Sequence, residues 1–184
     1  HSGKEMSSMK KYELTEETKV ISGKTLFRIR ALRSFGDIKA GDLGGFIENE
    51  RNLSHGGNAW VGDNAQVGGN AEVYGDAQVV GYARVGGYAR VDGDAWVGGY
   101  ARVNGDGLIN SNNDYLCEQG LGSRNRSASF FKCKDGHIHV LCGCFSGNLD
   151  EFENKVKKEH GNSKYAKEYL GFIEVVKTHF EVRQ

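Results

Sequence analysis

The sequence predicts a mainly β protein whose centre is a stack of very short parallel strands. Three regularities in residues 59–103 predict this class. Valine returns at every sixth residue, alanine stands two residues before each valine, and glycine stands two residues after most of them. The valines occupy positions 61, 67, 73, 79, 85, 91, 97 and 103. A fixed period of this kind indicates equal units that share one core, and it outweighs local propensity.

Each hexapeptide is typical of a short strand followed by a corner. Alanine and valine are two residues apart, so they point to the same side of a strand. Valine fills the interior, and alanine leaves room near the corner. Glycine beside Asn, Asp or Tyr forms the corner, where a positive φ costs glycine little. Ordinary hairpins are the alternative, but they have no reason to keep one strict period.

This pattern resembles the hexapeptide-repeat family, whose fold is the left-handed parallel β-helix. The resemblance rests on eight consecutive repeats, which begin with AWVGDN at residue 59. It implies that three hexapeptides form one triangular coil, so that residues 18 apart align in a column. It also implies a homotrimer, which is the usual assembly in that family.

The predicted β-helix extends beyond the strict repeats, from residue 43 to residue 109. Leu43 and Ile109 fall on the phase of the valines, whereas Ile47 and Leu53 fall on the phase of the alanines. We therefore expect irregular first corners.

Residues 9–42 are predicted to form an N-terminal β segment, and residues 1–8 are interpreted as the remnant of an expression tag before Met9. Ser22-Gly23 predicts a tight hairpin turn between two β-rich runs. In the second strand Arg28 and Arg30 share one face, which makes them candidates for binding an anion. A solvated face with scattered ion pairs is the alternative.

The C-terminal part is predicted to be a linker, residues 110–127, followed by a ββαα cap, residues 128–184. Asp135-Gly136 predicts a two-residue turn between strands at 129–134 and 137–142. Asn148 is the predicted N-cap of one helix, and Asn162 or Ser163 that of the next. We expect this cap to cover the open end of the β-helix.

The cap also contains residues of the types that bind zinc, namely Cys133, His137, His139, Cys142 and Cys144. With a two-residue turn, Cys133 and His139 point to opposite faces, so the sequence predicts no metal site. The spacing of the four cysteines fits neither a disulfide framework nor a paired CxxC site, and a reducing compartment is expected.

The residue before each valine points outward, and a coil of 18 residues sorts these residues into columns. Arg84 and Arg102 share one column, Arg90 follows Glu72 in a second, and a third holds Trp60, Gln78 and Trp96. Tyr82 and Tyr100 are expected to stack beside the arginine column. The candidate ligand-binding residues are Arg28, Arg30, Tyr82, Arg84, Tyr88, Arg90, Trp96, Tyr100 and Arg102.

Two interpretations of these columns remain open. Paired guanidinium groups suit phosphate oxygens, and aromatic faces stack on nucleobases, so the columns could bind a small anionic ligand. Tyr, Trp and Arg are also enriched in subunit interfaces. The two are compatible, because the resemblance implies sites in the clefts between subunits.

Composition narrows the possible partners. Lys plus Arg and Asp plus Glu number 24 each, so no global charge attracts nucleic acid or a membrane. No apolar run approaches membrane-spanning length. We expect a cytoplasmic protein without a membrane or a polymeric nucleic acid as partner.

The order of the motifs carries a second resemblance. In this chain the order is RIRALRSFGDIKAGDLGGFIE, NLSHGGNAWV, the hexapeptides, CGCFSG and two helices. It is similar to the order found in small accessory proteins carried by bacteriophages and prophages. This resemblance implies an accessory role in an infected bacterium. Combined with the binding of a small anionic ligand by the columns, it leads us to expect an anti-defence protein, a non-enzymatic sponge for a nucleotide immune signal such as a cyclic nucleotide.

Two alternatives to the sponge remain. The first is a structural or interaction module of a phage, such as a virion accessory protein or scaffold. The second is an acyltransferase, because enzymes of the hexapeptide-repeat family use a histidine base. His55 is the one histidine in residues 43–109. We expect no catalytic residue and no cofactor.

Overall fold

A computed structural model describes residues 10–182, which form a parallel β-helix with a β-hairpin at one end and a sheet with two helices at the other. The predicted fold class is confirmed. Residues 1–9, which include the predicted tag remnant and Met9, lie outside the described residues, as do residues 183–184. Within the described part, no helix is long and apolar enough to cross a membrane.

The β-helix has three faces of stacked parallel strands. The first face contains β3 (Leu43–Ile47), β5 (Gln66–Val67), β8 (Arg84–Val85) and β11 (Arg102–Val103). The second contains β6 (Glu72–Val73), β9 (Arg90–Val91) and β12 (Leu108–Ile109), and the third contains β4 (Trp60–Val61), β7 (Gln78–Val79) and β10 (Trp96–Val97). On the first face Val67 pairs with Val85 and Val85 with Val103, a spacing of 18 residues.

The interior consists of the repeated valines and alanines. The valines of the repeat are at most 3% exposed, and the alanines are fully buried. Most strands have only two residues, so their stability comes from the coils above and below. The backbone N–H of Gln66, for example, donates to the carbonyl of Ala83 at 2.9 Å, and that of Gly68 to Val85 at 3.0 Å.

The first coil differs from the predicted phase. Ile47 pairs with Val67 and Leu53 with Val73, so both occupy valine positions rather than alanine positions. Leu43, predicted at a valine position, is 55% exposed. The prediction was wrong because Leu53 and Val61 are eight residues apart instead of six, and the turn at 54–58 absorbs the difference.

The N-terminal hairpin extends the first face. β1 (Tyr12–Ile21) and β2 (Lys24–Ala31) are joined by the predicted Ser22-Gly23 turn, whose φ values are 51° and 77°. β2 pairs antiparallel with β3, which gives the sheet order β1-β2-β3-β5-β8-β11.

Two fully buried polar residues close this end of the β-helix. The ammonium of Lys11 donates to the carbonyl of Ala59 at 2.5 Å, and the hydroxyl of Tyr12 donates to that of Leu53 at 2.6 Å. The carbonyls of the first coil have no preceding coil to bond, and these side chains supply donors instead.

The cap contains more β structure than predicted. Its antiparallel sheet follows the order β13 (Tyr115–Leu121), β14 (Arg126–Lys132), β15 (Ile138–Cys142) and β16 (Phe145–Asn148). The prediction of a loop-like linker at 110–127 therefore missed β13. Phe131 packs on the β-helix core, and Phe130 packs on the helices, so the sheet is buried on both faces.

Two helices complete the chain, α1 (Leu149–His160) and α2 (Lys164–His179). Asn148 caps α1 as predicted, with its side-chain oxygen accepting from the backbone N–H of Glu151 at 2.8 Å. Ser163, one of the two predicted candidates, caps α2.

The turn between β14 and β15 has three residues instead of the predicted two. Phe131 pairs with His139, and the backbone N–H of Cys133 donates to the carbonyl of His137 at 2.9 Å. The turn comprises residues 134–136 and ends with Gly136 at φ 90°. This third residue shifts the register by one, which changes the face on which each side chain lies.

The corner glycines give a first prediction. Gly87 and Gly105 occupy the same corner of successive coils, with φ of 62° and 56°. A Cβ on Gly87 would lie 2.6 Å from the backbone nitrogen of Gly105, whereas a Cβ on Gly105 meets nothing within 4 Å. Gly105→Ala should cost about 1–2 kcal/mol of unfolding free energy through the left-handed backbone alone, and Gly87→Ala clearly more. Chemical denaturation of both variants measures this, and equal losses would contradict the packing.

Lys11 gives a second prediction. Burial, with a smaller effect of Arg33, lowers the pKa of Lys11 from 10.5 to about 8. From pH 8 to 10.5 the unfolded chain therefore binds more protons than the folded one, and the free energy of unfolding should rise with pH, by at most about 1.4 kcal/mol per pH unit. Burial also raises the pKa of Tyr12, so the measurement should stop below pH 10, the ordinary pKa of tyrosine.

The Lys11 experiment compares denaturation curves of the wild type and Lys11→Met between pH 7.5 and 9.5. The variant should lose the pH-dependent rise, whereas Lys10→Met, at an exposed neighbouring position, should keep it. The same slope in the wild type and Lys11→Met would contradict a proton loss at Lys11.

Candidate functional site

The first face of the β-helix carries the arginine column in the predicted register. Arg84 and Arg102 are direct partners on β8 and β11, with Gln66 preceding them on β5. Neighbouring strands are about 4.8 Å apart, so the two guanidinium groups can reach one anion. The guanidinium of Arg84 has no hydrogen bond or ion pair within residues 10–182, and that of Arg102 donates to the carbonyl of Gly143 at 3.0 Å.

These arginines line a groove of about 320 Å³, called the arginine groove below. The tip of the N-terminal hairpin lines one part of it through Ile21 and Lys24, and the cap lines another through Leu141. The corners of the first face contribute glycines to the lining, among them Gly86. A Cβ added to Gly86 would meet nothing within 4 Å, so the groove is open at this point. A flat planar group could therefore approach the backbone closely.

The electrostatics of the arginine groove are positive. Its one acidic lining residue, Glu48, accepts from the backbone N–H of Gly69 at 3.0 Å and lies 3.9 Å from the ammonium of Lys24. The carboxylate of Glu48 thus interacts with Gly69 and Lys24 and has no ion pair with either arginine. The charges of Arg84 and Arg102 have no carboxylate partner within the described residues.

The predicted tyrosine stack is present at the corner that precedes the first face. The rings of Tyr82 and Tyr100 are 5.3 Å apart between centroids and nearly parallel, at 6°. They are 57% and 48% exposed. Neither ring lines the arginine groove, so within one chain the arginines and tyrosines form neighbouring surfaces instead of one site.

Neither the protein-family models nor the curated proteins match this chain. The location of a binding site therefore rests on the geometry of the described residues.

Arg90 and Tyr88 lie on a different groove, of about 360 Å³, beside the second face. Arg90 lies 3.8 Å from the carboxylate of Glu72. Asp106 and Lys134 also line this groove, which therefore carries both signs of charge. Tyr88 is 67% exposed.

The tryptophan column is divided between the core and the surface. Trp60 is buried and packs edge-on against Phe35, with ring centroids 5.3 Å apart. Trp96 is 54% exposed and lines a depression of about 550 Å³ together with Tyr100 and Tyr115. Trp96 and Tyr100 thus form an exposed aromatic surface that is separate from the arginine groove.

Arg28 and Arg30, the remaining candidates, have partners in the N-terminal sheet. Arg28 is ion-paired with Glu17, donates to the carbonyl of Gly44 at 2.7 Å and lies over the ring of Phe46. Arg30 pairs with Glu13 at 3.1 Å. The structure therefore favours the alternative of a strand face with ion pairs.

His55, the histidine of the acyltransferase alternative, is held within the N-terminal closure. Its Nδ1 accepts from the backbone N–H of Lys11 at 3.1 Å, and its ring stacks on Tyr12 with centroids 4.1 Å apart. Burial lowers its pKa against the opposing effect of Glu50. These contacts explain His55 as a structural residue.

The structure brings together three side chains that the sequence analysis separated. Ligand atoms of Cys133, His137 and His139 lie within 4.8 Å of one another. The three-residue turn places them on one face, and the spacing Cys-x3-His-x-His was the signal that could have found them. Burial, aided by Asp135 and Asp106, raises the pKa of the Cys133 thiol to about 11.

Proposed function

We propose that the arginine groove binds a small anionic ligand of the nucleotide type, without chemical conversion. The observation that carries this proposal is the pairing of Arg84 and Arg102 on adjacent strands, with no carboxylate partner among the described residues. Like charges directly opposite on adjacent strands repel, and an anion bound between them would relieve that repulsion.

The other residues that line the arginine groove suit the base of a nucleotide. Guanidinium groups bind phosphate oxygens in a bidentate manner. The apolar side chains of Ile21, Leu26 and Leu141 and the flat surface at Gly86 could contact a base. Apolar walls with a few convergent polar groups are typical of small-molecule sites.

We infer that the active form is a homotrimer in which neighbouring copies cover the exposed aromatic residues. Tyr82, Trp96 and Tyr100 are each about half exposed and lie on adjacent parts of the β-helix. Aromatic residues of this size are enriched at the centre of interfaces. Such an assembly would bring the tyrosine stack of one copy near the arginine groove of another.

The biological role we propose is sequestration of a nucleotide signal of bacterial immunity by a phage protein, in the cytoplasm of the infected host. This part of the proposal rests on the resemblance of the motif order to phage accessory proteins. Fold alone does not determine function, so the ligand must be identified by experiment.

Native mass spectrometry of the protein with cyclic mononucleotides, cyclic dinucleotides, linear nucleotides and coenzyme A tests the proposal. We expect a trimer that retains one nucleotide per groove. Retention of coenzyme A with dependence on His55 would instead support the acyltransferase alternative. An assembly that retains no member of the panel would contradict the ligand proposal.

Variants then test the location of the site by calorimetry with the retained nucleotide. Arg84→Gln removes one charged hydrogen-bond donor, which is worth about 1.5–3 kcal/mol, or roughly 10–150-fold in affinity. Gly86→Leu places a bulky side chain in open space of the groove, keeps both arginines and should abolish binding. Arg90→Gln, at the equivalent position on the second face, is the matched control and should bind normally. Full affinity in both groove variants would place the ligand elsewhere.

A structural or interaction module is the second candidate function. It is favoured by the half-exposed aromatic residues, which a partner protein could cover as well as another copy. It predicts a stable assembly without affinity for any nucleotide.

A further inference from the structure

The face of the cap sheet that packs toward the β-helix contains a compact group of soft ligand atoms, called the Cys-His cluster below. It consists of Cys133 at the start of the turn between β14 and β15, His137 at its end, and His139 within β15. The Nε2 atom of His137 lies 3.2 Å from the Nδ1 atom of His139.

We propose that the Cys-His cluster binds one zinc ion, with Cys133, His137 and His139 as its three protein ligands and a fourth position open to water or another ligand. This site is separate from the arginine groove, since the two share no lining residue.

The spacing of the two histidines matches a zinc site. Zinc binds imidazole nitrogen at about 2.0–2.1 Å in tetrahedral geometry, which places two such nitrogens about 3.3 Å apart. The observed separation between His137 Nε2 and His139 Nδ1 is 3.2 Å. Cys133 Sγ lies within 4.8 Å of a ring nitrogen of each histidine. Closing to the tetrahedral nitrogen–sulfur distance of about 3.6 Å requires a shift of about 1.2 Å at most.

The outer nitrogens of both histidines are engaged by polar neighbours. Asp135 Oδ1 lies 2.5 Å from Nδ1 of His137, and the hydroxyl of Ser146 lies 2.8 Å from Nε2 of His139. Metal-binding histidines have this arrangement, in which a carboxylate or hydroxyl orients the ring and directs the other nitrogen to the ion. The inner nitrogens are at hydrogen-bond distance from each other in the metal-free protein. When both histidines carry their proton on the outer nitrogen, the two inner lone pairs face the same point and can bind one ion.

The ligand types select the class of metal. A thiolate and two imidazoles suit zinc and related transition metals, whereas magnesium and calcium prefer oxygen ligands. Cys133 is 4% exposed, and the ring of His139 lies over Phe131 with centroids 5.5 Å apart, so the site is partly shielded from water.

The position of the Cys-His cluster indicates what the metal would do. Gly107 forms a bridge with Cys133, and the backbone N–H of Lys134 donates to the carbonyl of Asp106 at 2.9 Å. The same short turn therefore contains a ligand and the contacts that attach the cap to the last coil. Metal binding would fix this turn and stabilise the junction between cap and β-helix.

Titration of chelator-treated, metal-free protein with Co²⁺ tests this proposal. We expect one Co²⁺ per chain, visible-region bands of tetrahedral cobalt, and a near-ultraviolet charge-transfer band that requires a thiolate ligand. Zn²⁺ should displace the cobalt, and the thermal unfolding midpoint should be higher with Zn²⁺ than without.

Variants assign the ligands. Cys133→Ser should remove the charge-transfer band, and His137→Ala, at an exposed turn position, should weaken binding strongly. Asp135→Asn should weaken it by about 10–100-fold, as expected for a residue that only orients a ligand. Cys144→Ser and His160→Ala, outside the cluster, are the matched controls and should leave the titration unchanged.

Two outcomes would overturn the proposal. One is the absence of tetrahedral cobalt bands in wild-type protein that is folded by circular dichroism. The other is a charge-transfer band that persists in Cys133→Ser or disappears in Cys144→Ser. The nucleotide-binding experiments use other residues, so this proposal can fail without affecting the proposed function.

Discussion

The equal length of the coils is the constraint on which this structure depends. A strand of two residues has almost no stability of its own, and it forms because the same two residues recur 18 positions earlier and later. The buried valines stay aligned only while each corner uses the same number of residues. Corner glycines keep this geometry, since at Gly87 a Cβ would lie 2.6 Å from the next coil.

The same regularity creates both the surface that is proposed to bind a ligand and the need to close the two ends of the stack. Outward residues of successive coils align, which is why Arg84 and Arg102 stand side by side. The ends of the stack, however, leave backbone groups and apolar surface without partners. Lys11 and Tyr12 close the first coil with side-chain donors, and Phe131 of the cap sheet packs on the core at the other end.

The features that depend on the regular spacing of the repeats could be predicted from the sequence. The predictions were wrong where a turn between two strands is longer than the pattern assumes. The three faces, the arginine pair and the tyrosine stack follow from a fixed spacing of 18, and their placement is confirmed. Two extra residues between Leu53 and Val61 place Ile47 at a valine position instead of the predicted alanine position. One extra residue in the turn between β14 and β15 brings His139 to the same face as Cys133. Such insertions are invisible to a pattern that assumes constant length. Ion pairs such as that of Arg30 with Glu13 depend on tertiary pairing, which a single strand does not indicate.

Nuclear magnetic resonance of the arginine side chains can show whether the arginine column binds an anion, as proposed. Nε–H resonances of Arg84 and Arg102 are followed during a titration with pyrophosphate, with Arg90 as an internal reference. If the column is a specific site, the resonances of Arg84 and Arg102 should shift saturably at concentrations that leave Arg90 unchanged. Equal, non-saturating shifts of all three would show general ionic association and contradict a specific site.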